Sequence, residues 1–145
     1  MKKTFLFSFI LSLFIFASCK KDETTVSTPT PSDAPVGTFT AARAGSLTAQ
    51  SGTVTGGKVE IGVDTKGTQF LHLVSDFKSD FHTGAVTLYF SKGATYSDAG
   101  VKSVSLVNKN GEQFFKVTPS VSNDFTHLIV WCGVAKIPFG VAELK

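Results

Sequence analysis

The stretch that decides the fold is FTHLIVWCGVAKIPFGVAEL, residues 125–144. Read with a period of two, Phe125, His127, Ile129 and Trp131 point one way, while Thr126, Leu128, Val130 and Cys132 point the other. Both faces turn apolar toward the end of the run, which predicts a central strand over 125–132. Cys132 falls on the Leu128 and Val130 side, so alternation by itself predicts that it is buried. A second strand is expected over 139–144.

Working back toward the N-terminus, no segment between Val36 and Lys145 sustains a helical period, and short strand patterns recur with turn residues between them. Six more strands are expected, over 37–42, 53–63, 69–75, 85–91, 104–107 and 113–117. Gly56-Gly57 interrupts the second of these, as a turn or bulge would. Asn110-Gly111, between the fifth and sixth, is a strong short-range hairpin signal, because both residue types tolerate positive φ. The expected class is therefore all-β, an antiparallel sandwich or flattened barrel of about eight strands.

The N-terminus reads as a targeting segment. Lys2 and Lys3 precede an apolar run from Phe5 to Phe16, broken by Ser8 and Ser12 and too short to span a bilayer comfortably. Phe16-Ala17-Ser18-Cys19 resembles the lipobox of bacterial lipoproteins, which implies a signal peptide over 1–18, cleavage before Cys19 and acylation of that residue. Several acyl chains, at about 0.8 kcal/mol per buried methylene, would make a stable anchor. Lys20-Lys21-Asp22-Glu23 resembles the charged tags of Gram-negative lipoproteins sent to the outer face of the outer membrane. TTVSTPTPSDAP, residues 24–35, has almost nothing to bury and is expected to be a disordered tether, placing a single folded domain over 36–145.

Charge excludes one class of partner. The formal net charge is +3, and removal of Lys2 and Lys3 with the signal leaves +1, far short of the basic patch that nucleic-acid binding requires. His72, His82 and His127 lack metal-ligand spacing, so no metal site is expected and each reads as structural. Asp76, Asp80 and Asp98 are scattered, no local base accompanies a nucleophile, and CxxCH is absent. An enzyme is thereby disfavoured.

Cys132 is the one thiol left once Cys19 is lipidated. With no partner for an intrachain disulfide, it is either reactive or buried and inert. Free cysteine packs like a small hydrophobe, whereas reactivity needs a nearby cation or helix N-terminus, for which Lys136 is the sequence neighbour.

The tail Trp131-Cys132, Pro138-Phe139-Gly140, Ala142 and Leu144 resembles the C-terminal signature of the DM13 domain. Gly37-Thr38-Phe39, Ser51-Gly52-Thr53-Val54, Phe70-Leu71-His72-Leu73 and Gly111-Glu112-Gln113 resemble its earlier steps, so the likeness extends over 36–145. It implies a β-rich extracellular module with a role in electron transfer. Cys132 would be a redox thiol or a ligand to a group such as haem, with Trp131, Phe139 and Gly140 near the site. The chain departs from the pattern at Thr48-Ala49-Gln50, where a histidine is common, and at Gly84-Ala85-Val86. No fused redox domain accompanies it, so an electron partner would be a separate protein. The contrasting expectation is a non-catalytic surface binding or structural module, with Cys132 as core packing and the loops 76–84 and 91–100 meeting a cell-surface partner.

Overall fold

The computed structural model describes residues 33–145; the signal segment, Cys19 and all but the end of the tether lie outside the described residues. Eight strands make up one antiparallel sheet: β1 (Thr40–Ala49), β2 (Gly57–Val63), β3 (Gln69–Leu73), β4 (Val86–Ser91), β5 (Val101–Val107), β6 (Gln113–Lys116), β7 (His127–Cys132) and β8 (Ile137–Glu143). Their order is β5-β4-β7-β8-β1-β2-β3-β6, and the sheet curls until β5 and β6 approach each other without pairing. A nearly closed, flattened barrel results, as the strand pattern predicts.

Alternation builds the core. Leu128, Val130 and Cys132 of β7 point inward with Val86, Leu88 and Phe90 of β4, Val59 and Ile61 of β2, and Leu71 and Leu73 of β3. Each such side chain contributes about 1.5–3 kcal/mol relative to leaving it in water. β7 lies between β4 and β8, the central position expected of a strand apolar on both faces.

Three local expectations are corrected. The first strand begins at Thr40 and runs to Ala49, later and longer than 37–42, because it is held on both sides, by β2 and by β8. Its sequence TAARAGSLTA carries little strand propensity, and long-range pairing overrides that. The second strand begins at Gly57, leaving Val54 63% exposed. Asn110-Gly111 does not close a hairpin: β5 pairs only with β4 and β6 only with β3. The two residues bridge the open seam instead, Asn110 Oδ1 accepting from Ser79 N at 2.9 Å and Gly111 N donating to Phe77 O at 2.9 Å.

β8 carries a bulge opposite β7, where Val130 pairs with Gly140 and Trp131 with Pro138, so Phe139 is the additional residue. Pro138 has no N–H to give, and a bulge is one of the few places a sheet interior accepts it. The extra residue lets Phe139 join the core while Val141 faces out.

The N-terminal edge of the domain is tied down by Asp64. Its carboxylate accepts from Val36 N at 3.0 Å and from Lys66 N and Thr68 N at 2.9 Å each. These bonds, the one from Val36 foremost, hold the carboxyl below its ordinary range. A depressed folded value gives stability that is fully present above the unfolded pKa, near 3.9, and is lost as pH falls through the folded value. Urea midpoints of the wild type are therefore expected to decline between about pH 5 and pH 2.5 more steeply than those of Asp64→Asn, which has nothing to protonate there. Parallel declines would exclude this role for Asp64.

Candidate functional site

Cys132 closes β7 at the mouth of its hairpin with β8, paired with Ile137. Its residue surface is fully buried. Thr83 Oγ1 covers the sulfur at 3.3 Å and Ala135 N–H points at it from 3.4 Å. Burial, the largest single influence, pushes the thiol up, and Asp80 adds to this. Hydrogen bonds from Thr83, Ala135 and Val134 outweigh both, so the net direction is down. No cation takes part, for Lys136 is exposed and contributes its backbone N–H to Cys132 O at 2.8 Å. The lid over the sulfur is shallow, made of exposed residues in the loop and the hairpin turn.

The other residues that the DM13 resemblance places near the cysteine divide between the two faces of the sheet. Trp131, one step along β7, projects through the outer face of the sheet, away from Sγ. Phe139 packs in the core. Gly140 makes room for Thr55: a Cβ there would lie 2.6 Å from Thr55 Cγ2. Thr55 in turn bonds Ser79 at 2.9 Å, so Phe139-Gly140 is a packing device at the bulge.

On the outer face lies a groove of about 600 Å³, lined among others by Trp131, Tyr96, His127, Gln50, Thr48 and Glu143. Strand alternation puts His127 and Trp131 on the same face, and both reach the groove. The loop 91–100 folds over the sheet and lays Tyr96 on Trp131, rings 4.1 Å apart and 16° from parallel. Tyr89 abuts Tyr96 edge-on at 5.2 Å. Asp98 accepts from the Tyr96 hydroxyl and, with burial and Tyr89, pushes its pKa up to about 12. The platform is thus braced from behind. In the loop 76–84, Phe77 and Ser79 are buried and Lys78 bridges to Gly56, while Asp76, Lys78 and His82 to Gly84 are exposed.

The remaining histidines are engaged elsewhere. His72 is 8% exposed, lies 2.9 Å from Glu60 and 3.0 Å from Glu112, and stacks on Phe114. His82 pairs with Asp80 in its own loop. Among the described residues no three metal-ligating side chains gather. Haem ligation by Cys132 does not fit either, because an iron needs an open approach to a sulfur that Thr83 and the 133–136 turn enclose.

Gln50, Thr48, Tyr96 and Glu143 were not visible as a site in the sequence. They come from three segments that only the order β7-β8-β1 and the fold of the 91–100 loop place together. Thr48 and Gln50 belong to the very step at which the chain departs from the DM13 pattern. No family model matches this chain, and no curated protein or solved structure is significantly similar to it.

Proposed function

We propose that this chain is a lipid-anchored, non-catalytic binding module of the cell envelope, with the outer-face groove as its ligand site and Cys132 as part of its core. The observation that carries this reading is the braced Trp131–Tyr96 stack lining a concave, polar-rimmed groove, on the face of β7 opposite a sealed sulfur. A thermal-shift screen of chemically diverse small ligands tests it. Ligands that raise the melting temperature of the wild type are expected to lose that effect in Tyr96→Ala. Shifts that persist unchanged in the variant would move the site elsewhere.

The anchor and location belong to the same proposal: acylation at Cys19, a tether over 24–35, and attachment to the outer membrane, with surface exposure. Cys19→Ala is expected to abolish incorporation of a labelled palmitate analogue and to move the protein from the membrane to the soluble envelope fraction. A palmitate label retained by the variant would overturn the assignment.

A DM13-like redox role at Cys132 is the second reading. The donors around Sγ favour it, since they stabilise a thiolate. It would require the Thr83 loop to open and a separate electron partner to dock there.

A further inference from the structure

We propose that the groove binds a neutral saccharide, with one sugar ring lying against the exposed part of the Trp131 indole. This rests on the groove being the ligand site, and it names the class of ligand.

Four observations select that chemistry. The first is the platform: the indole, covered on one face by Tyr96, is half-buried and lines the groove with the rest of its ring. The π surface of that part carries a partial negative charge that attracts the polarised C–H groups of a pyranose. The bracing means that little side-chain freedom is lost on binding.

The second is the rim, where Gln50, Thr48 and His127 supply an amide, a hydroxyl and an imidazole. Together they both donate and accept, as do the hydroxyls of a sugar. His127 Nδ1 is taken by Thr126 Oγ1 at 2.9 Å, which leaves Nε2 to a ligand. An acyl chain in the groove would desolvate these groups without replacing their bonds.

The third is charge. Glu143 is the one charged side chain in the lining, and Lys145 Nζ lies 2.9 Å from its carboxylate, so the groove offers no cationic partner to a phosphate or sulfate.

The fourth is topology. β4, β7, β8 and β1 are each flanked on both sides, so no open sheet edge borders the groove for an extended peptide to pair with. Recognition falls to side chains, and a volume of about 600 Å³ suits a ligand of one or two rings.

The test uses the full-length protein and a panel of neutral oligosaccharides, acidic oligosaccharides, short peptides and acyl lipids, with the emission of the single tryptophan as reporter. A neutral oligosaccharide is expected to change Trp131 emission saturably. Gln50→Ala, which keeps the reporter, should weaken that binding several-fold. By calorimetry Trp131→Ala should lose at least about tenfold, as removal of an aromatic anchor does, and Trp131→Phe should recover part of it. Gln50→Ala and Trp131→Phe keep the question open to refutation if Trp131→Ala does not fold. If peptides, lipids or acidic sugars alone change the emission, and Gln50→Ala weakens them, the saccharide proposal fails while the groove stands. If no panel member changes it, both fail.

Discussion

Gly57→Ala is expected to lower the unfolding free energy by about 2–5 kcal/mol, measured from the shift in urea midpoint. Two costs add at this position. Its φ of +109° lies in the region that a side chain makes unfavourable. A Cβ would also stand 2.6 Å from Phe77 Cα and 2.7 Å from both Asp76 O and Phe77 N. These neighbours are main-chain atoms of the segment that seats Phe77 in the core, so they cannot swing aside. Gly140→Ala makes a useful comparison, because its φ lies outside the left-handed region and its close neighbour is a threonine side chain and not main chain. It should cost less, about 1–2 kcal/mol. Equal losses in the two variants would show that the main-chain contact behind Gly57 is not what limits it.

In the native protein Cys132 should react with an aromatic disulfide reagent at least about a hundredfold more slowly than in denaturant, because attack must await opening of the structure around it. A fully buried thiol under Thr83 and Ala135 offers a reagent no path in the closed state. The lowered pKa does not change this, since it governs how fast an exposed sulfur reacts and not how often it is exposed. Native reactivity within a few-fold of the denatured rate would favour the redox reading over the binding module. Cys132→Ala should cost about 1–2 kcal/mol through the cavity and the unpaired Ala135 N–H, while leaving ligand-induced changes at the groove intact.

The all-β class and the core were legible wherever a side chain's surroundings follow from alternation. Leu128, Val130 and Cys132 point inward and Trp131 outward, as a period of two requires of a strand covered on both faces. The turn at Asn110-Gly111 shows the limit. Its residues favour a tight reversal of the chain, and the chain does reverse there, but the two strands it joins find their partners on opposite edges of the sheet. Nothing local encodes that choice, because it depends on which distant strands compete for each edge.

The sulfur and the groove divide in the same way. Alternation along residues 125–132 was enough to bury Cys132 and to put His127 with Trp131, since both follow from the geometry of a single strand. That Thr83, 49 positions away, roofs the sulfur, and that Tyr96 and Gln50 complete the groove around Trp131, was decided by strand order and by the path of two loops. Such contacts join residues far apart in the chain, so their spacing in sequence carries no trace of their distance in space.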